Sequence, residues 1–68
     1  MFYVCQISNN LLGAMTEHDS EDDAKKEVYR LLKKKGVRLT AEAREEVEDD
    51  LSYISADGTW SICIGVIG

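Results

Sequence analysis

The closing segment Thr59-Trp60-Ser61-Ile62-Cys63-Ile64-Gly65-Val66-Ile67 decides the fold. Large apolar side chains alternate there with smaller ones, as in a β-strand that has one face in a core. The segment has no charge and no proline, so it would be aggregation-prone at a sheet edge. We therefore expect it at the centre of a sheet or paired with another chain. The expected oligomer interface is its alternating set Trp60, Ile62, Ile64 and Val66.

The beginning of the chain predicts the strand's partner. Phe2–Ile7 is aromatic and β-branched, which favours a half-buried strand. Ser8-Asn9-Asn10 follows as a turn, because Asn tolerates left-handed backbone conformations. A weaker second strand is expected from Leu11 to about Met15, since glycine and alanine interrupt it.

A first helix is predicted from about residue 21 to 35. Asp19 or Ser20 can cap its start, acidic residues occupy its first turn and lysines its last, in the order that the helix dipole favours. Gly36 is placed as the left-handed C-terminal cap, with Val37 folding back onto Leu32. One apolar stripe results, consisting of Ala24, Val28, Leu31 and Leu32.

A second helix is predicted from Ala41 to about Asp50, with Thr40 as its cap. Ala43, Val47 and Leu51 form its buried side. A short strand at residues 52–55 and a turn at residues 56–58 then lead to the closing strand.

These elements give the order β(β)αα(β)β and an α+β fold. We expect one domain over residues 1–68, built as a small two-layer sandwich. Its antiparallel sheet has three or four strands with the first and last at the centre, and both helices cover one face.

Length and cysteine content indicate how the chain is stabilised and where in the cell it is located. A chain of 68 residues has a marginal core, which points to oligomerisation as a source of added stability. Two cysteines, and an opening segment that does not resemble a signal peptide, favour reduced thiols and a cytoplasmic location. No stretch has the roughly twenty apolar residues of a membrane span.

The charge distribution indicates the kind of partner. A net charge of −5 disfavours direct binding to nucleic acid or to an anionic membrane, and favours a larger protein with a basic surface, such as a component of a nucleic-acid-binding complex. The negative charge is concentrated on the second helix. Its predicted partner-binding stripe is Glu42, Glu45, Glu46 and Asp49. An alternative anion-binding site is the basic cluster Lys33, Lys34, Lys35 and Arg38.

The sequence contains little that supports a catalytic or a metal-binding function. Cys5 and Cys63 have no activating neighbour, and His18 is the only histidine, so no catalytic residue is predicted. The acidic run from Glu17 to Asp23 lacks the central glycine of an EF-hand calcium loop, and no zinc pattern is present. We therefore expect neither a metal nor a cofactor.

The chain resembles small acidic accessory proteins encoded by phages and mobile elements, including anti-CRISPR and other anti-defence inhibitors. The resemblance is carried by the Phe2–Ile7 strand, the acidic helix Glu42–Asp50 and the strand entry Asp57-Gly58-Thr59-Trp60-Ser61-Ile62. It spans the chain at the level of a class, and no functional residue is transferred. It implies a non-catalytic inhibitor that occludes a nucleic-acid-binding or assembly surface.

Three functions stay open at this point. The first is a protein-interaction or inhibitor domain that binds a basic partner through its acidic helix. The second is an oligomer that binds or sequesters a small ligand or nucleotide, with the basic cluster lining its pocket. The third is a small thiol enzyme that depends on Cys5, Cys63 or His18.

Overall fold

The computed structural model describes residues 1–67 and contains four strands and two helices. The strands are β1 (Phe2–Ser8), β2 (Leu11–His18), β3 (Ser52–Ile54) and β4 (Trp60–Val66). The helices are α1 (Glu21–Lys34) and α2 (Ala41–Asp50). The strands form one antiparallel sheet in the order β2-β1-β4-β3. The predicted α+β class is confirmed, and so is the central position of the first and last strands.

The pairing of β1 with β4 runs without interruption. It extends from Phe2 opposite Val66 to Ser8 opposite Trp60. Backbone bonds between Met1 and Ile67 continue it beyond the strand ends. Because β4 has a neighbour on each side, its uncharged backbone is not exposed as an edge.

Strand β2 is longer than the sequence predicts. A hairpin turn with positive φ at Asn9 and Asn10 starts it, and pairing with β1 continues to His18 opposite Phe2. The expected end near Met15 is wrong, because the hydrogen bonds of the neighbouring strand hold three further residues extended. The register of this pairing shifts between Met15 and Leu12, so the segment that contains Gly13 forms a β-bulge.

The ends of α1 are as predicted. The Ser20 side chain accepts a hydrogen bond from the Asp23 amide at the start. At the other end Gly36 has φ +81°, its amide donates to the Lys33 carbonyl, and the Val37 amide donates to the Leu32 carbonyl. This pattern is a Schellman motif, and it satisfies two carbonyl groups of the last turn.

Helix α2 begins and ends at the predicted residues. Thr40 caps the start through the Ala43 amide. Leu51 follows the helix in a left-handed conformation (φ 54°) and is therefore a cap rather than a helical residue. Its side chain still packs against the core, and its carbonyl accepts the Ile64 amide at 2.8 Å, which fixes the end of α2 against β4.

The core lies between the helices and one face of the sheet. It comprises Val4, Ala24, Val28, Leu31, Leu32, Val47, Ile62 and Ile64. The predicted stripe of α1 is buried in full. The other sheet face is not covered by either helix.

Candidate functional site

The predicted acidic stripe of α2 forms a continuous surface. Glu42, Glu45, Glu46 and Asp49 line one open depression of about 280 Å³, and Asp50 joins them. We call these five residues the acidic surface. The helix positions them because Ala43 and Val47 turn inward to the core, which leaves the opposite side of α2 in solvent.

Glu46 has a structural role that the sequence does not reveal. Its Oε2 atom accepts a hydrogen bond from the Ile54 amide at 3.1 Å, so it caps an edge group of β3. Reversal of Glu46 would therefore disturb the sheet edge. Glu46 is therefore a structural residue as well as a member of the acidic surface.

Three other acids on the two helices, Glu21, Glu27 and Glu48, are paired with bases. Glu48 lies 2.6 Å from Lys25 of α1, and it also accepts a hydrogen bond from Tyr29. The hydrogen bond from Lys25 is the main cause that lowers the pKa of Glu48. Glu27 accepts two hydrogen bonds from Arg30, at 2.6 and 2.8 Å.

The acidic surface differs from these paired acids. Within residues 1–67, no ion pair involves any of its five carboxylates. Asp49 and Asp50 also occupy the last turn of α2, where the helix dipole disfavours negative charge. Mutual repulsion adds to this cost. The free protein therefore maintains five carboxylates on one side of α2 without an ion-pair partner in the described part of the chain.

The basic cluster does not come together as one site. Lys33 and Lys34 are exposed in the last turn of α1, whereas the Lys35 ammonium lies 4.9 Å from the ring centroid of Trp60. Arg38 lines a separate open depression of about 290 Å³, together with Glu42, Glu46 and Tyr53. Two carboxylates beside Arg38 make that depression less suitable for an anion.

The predicted oligomer interface lies largely inside the chain. Ile62 is 0 % exposed and Ile64 is 8 % exposed, because both belong to the core cluster with the buried residues of α1 and with Val47 of α2. Trp60 is half-buried beside Lys35 and Tyr53. Val66 remains exposed. Ile62 and Ile64 are therefore core residues and leave no surface for another chain, while oligomerisation itself stays a prediction.

The two cysteines lie directly opposite each other on β1 and β4. Both are half-buried on the sheet face that the helices leave uncovered. Burial, with a smaller contribution from Cys5, raises the pKa of the Cys63 thiol, which favours its neutral form. Their juxtaposition depends on strand register, which no local pattern in the sequence predicts.

His18 does not come together with Cys5. Its ring nitrogen lies 2.8 Å from the Thr16 hydroxyl, and it pairs with Phe2, whose side chain packs on the helix side of the sheet. Cys5 is three residues further along β1 and points to the other face. The combination of Cys5, His18 and Asp19 is therefore not assembled.

Ser55 is a buried turn residue that no pattern in the sequence predicts. Ser55 is 8 % exposed and donates its hydroxyl to Asp57 at 2.7 Å. The same carboxylate oxygen accepts the amide and hydroxyl of Thr59. These bonds, that of Ser55 foremost, lower the pKa of Asp57 to about 2. The site organises the turn between β3 and β4.

Among residues 1–67, no three His, Cys, Asp or Glu side chains converge as metal ligands. Within the same range, neither helix has the length and apolar character needed to cross a membrane.

Comparisons with known proteins gave no match. No family model, no curated protein and no solved structure is similar to this chain at a significant level.

Proposed function

We propose that this chain is a non-catalytic protein-interaction domain whose acidic surface binds a basic region of a larger protein. The observation that carries the proposal is the gathering of five carboxylates on one side of α2 without an ion-pair partner among the described residues. Glu27 and Glu48 have cationic partners, whereas the acidic surface has none within residues 1–67. A basic partner would relieve both the repulsion among these carboxylates and their conflict with the helix dipole.

Inhibition is the mode of action that we propose for this contact. A helix that presents carboxylates along one side offers a basic groove the same sign of charge as a nucleic-acid backbone. The domain would then compete with nucleic acid for that groove. The class-level resemblance to anti-defence inhibitors is in line with this mode, and no residue role is taken from it.

The test uses a charge reversal that leaves Glu46 intact. Glu45→Lys with Asp49→Lys changes the net charge by about +4 and removes the centre of the acidic surface. The matched control is Asp19→Lys with Asp22→Lys, which makes the same change at exposed acids near the start of α1. Circular dichroism verifies that both variants are folded.

Each protein then serves as bait for capture from a lysate of its native host, followed by quantitative mass spectrometry. We expect wild type and control to retain the same basic protein, and the α2 variant to lose it. Retention should weaken as salt rises, because exposed charges are screened beyond about 10 Å at 0.1 M ionic strength. The retained partner should also release bound nucleic acid when wild-type protein is added.

Two results would contradict the proposal. One is equal retention of partners by the α2 variant and the wild type. The other is loss of binding on reversal of Lys33, Lys34 and Lys35 while the α2 variant still binds. That second result would favour the basic cluster and an anionic ligand instead.

A further inference from the structure

The sheet face opposite the helices, which we call the open face, is mostly apolar. Val4, Ile62 and Ile64 point to the helices, so alternation along β1 and β4 directs Tyr3, Cys5, Ile7 and Cys63 to the open face. Residues that pair directly across strands share a face. Leu12 opposite Ile7, Met15 opposite Cys5, and Ile54 opposite Ser61 therefore belong to the open face as well.

Exposed apolar side chains are concentrated on this side. Seven large hydrophobic residues among residues 1–67 are exposed, and the register assigns five of them to the open face: Met1, Leu12, Met15, Ile54 and Ile67. The other two, Leu11 and Val66, lie on the helix side of the sheet. An apolar patch that is contiguous rather than scattered marks an interaction surface.

We propose that the open face binds a second copy of this chain, sheet against sheet. The argument for this occupant is charge. Two chains with a net charge of −5 repel each other, and they can approach closely only where few charges meet. Among the strand residues assigned to the open face, Glu17 alone has a charged side chain, and it lies at one end beside the Tyr3 hydroxyl at 3.3 Å. A neutral apolar face is complementary to itself, as a two-fold interface requires.

This arrangement keeps the acidic surfaces apart. Packed sheets lie about 10 Å apart, and each helix layer lies about 10 Å outside its sheet, so the two α2 helices would be separated by about 30 Å. That distance exceeds the screening length of about 8 Å at physiological ionic strength. Both acidic surfaces would stay accessible, and the dimer is therefore independent of the proposed binding to a basic partner.

The size of the face indicates the strength of the contact. The four strands contain 7, 8, 3 and 7 residues. At about 3.3 Å per residue and about 4.8 Å between strands, they give a footprint of roughly 400 Å² per chain. Stable interfaces bury about 800 Å² per partner. We expect a reversible dimer with a dissociation constant in the micromolar range.

The test is sedimentation velocity of the full chain over a concentration series. Leu12→Glu on β2 and Ile54→Glu on β3 each place one charge on the open face, at opposite edges of the sheet. Leu11→Glu and Val66→Glu are the matched controls, because they add the same charge at equally exposed apolar residues on the helix side. We expect the wild type and both controls to dimerise, and each open-face variant to weaken dimerisation by more than about tenfold.

Alkylation of the cysteines provides a second readout. Cys5 and Cys63 lie at the centre of the open face, so iodoacetamide should modify them more slowly in the dimer than in the monomer. This protection should disappear in the Ile54→Glu variant, even though Ile54 is on a different strand from either cysteine.

Three outcomes would overturn the proposal. If the wild-type chain stays monomeric up to about 500 µM, a second copy does not bind the open face, and any protein that binds there differs from this chain. If the helix-side controls lose dimerisation to the same extent, the loss is caused by the added charge rather than by a change on the open face. Dissociation in Leu12→Glu with no effect in Ile54→Glu indicates pairing through the β2 edge instead.

Discussion

Asp57 shows how one side chain organises a turn. It accepts three hydrogen bonds through a single carboxylate oxygen, and the Ser55 hydroxyl that donates one of them also accepts the Trp60 amide. The turn is completed by Gly58, whose φ of +74° suits a residue without a side chain. The start of β4 therefore depends on Asp57, an exposed carboxylate that can be protonated at low pH.

Replacement of Asp57 with Asn should lower the melting temperature at pH 7, because the charged acceptor is lost. The pKa of Asp57 is depressed from 3.8 to about 2 in the folded chain. Its contribution to stability is therefore present above pH 3.8 and is lost as the pH falls through about 2. Thermal melts between pH 7 and pH 2 should show a smaller acid destabilisation in Asp57→Asn than in the wild type.

The control for this measurement is Asp19→Asn. Asp19 is an exposed carboxylate for which no hydrogen bond is found within residues 1–67. This variant should keep the pH dependence of the wild type. An Asp57→Asn variant with an unchanged melting temperature and an unchanged acid response would show that the turn does not depend on this carboxylate.

At the level of elements, the end of α1 depends on one glycine. Gly36 has positive φ and no atom within 4 Å of the place where a Cβ would be, so an alanine would meet no neighbour. The cost of Gly36→Ala is therefore conformational: a left-handed L-residue costs about 1–2 kcal/mol, partly offset by the lower entropy of the unfolded chain. We expect the free energy of unfolding to fall by about 1 kcal/mol.

Urea unfolding followed by circular dichroism measures this change, and Gly65→Ala is its control. Gly65 also has open space at the Cβ position, but its φ is not in the left-handed region. Alanine there should leave stability unchanged or raise it by about 0.4–1 kcal/mol. Similar losses in both variants would contradict the explanation through backbone conformation.

For the whole molecule, the small core sets the limit of stability. A core in a chain of this length rarely supplies more than about 3–5 kcal/mol of net stability, and truncation of a buried Ile to Ala costs about 2–5 kcal/mol. Ile62 is fully buried between the sheet and both helices. We expect Ile62→Ala to be largely unfolded at 25 °C by circular dichroism. Val66→Ala, at an exposed position of the same strand, should remain folded.

This pair of variants distinguishes a role of Ile62 in the core from a role at an interface between chains. If Ile62 served mainly to contact another chain, Ile62→Ala would stay folded as a monomer and lose only its assembly. A folded Ile62→Ala monomer would therefore contradict the packing described above.

Most of the architecture was predictable from local patterns. The bounds of α1 and α2 follow from caps and from apolar periodicity, which involve residues only a few positions apart. The lack of charge and proline in β4 predicts that it is not an exposed edge, and its strong strand pattern together with that of β1 predicts that the two lie at the centre of the sheet. The acidic stripe of α2 follows from helical spacing alone, and the structure does bring its four residues together.

The tertiary structure decided how these elements meet, because a periodic pattern identifies a face but not what covers it. Ile62 and Ile64 were predicted at an interface between chains, yet the helices of the same chain cover them. The bond from Ile54 to Glu46 joins α2 to β3, and the position of Cys5 opposite Cys63 depends on the register of strands from opposite ends of the chain. Such contacts join distant segments and leave no periodic signal in either one. For that reason the sequence determined which residues are acidic, apolar or capping, and only the tertiary structure decided which of them remain available to a partner.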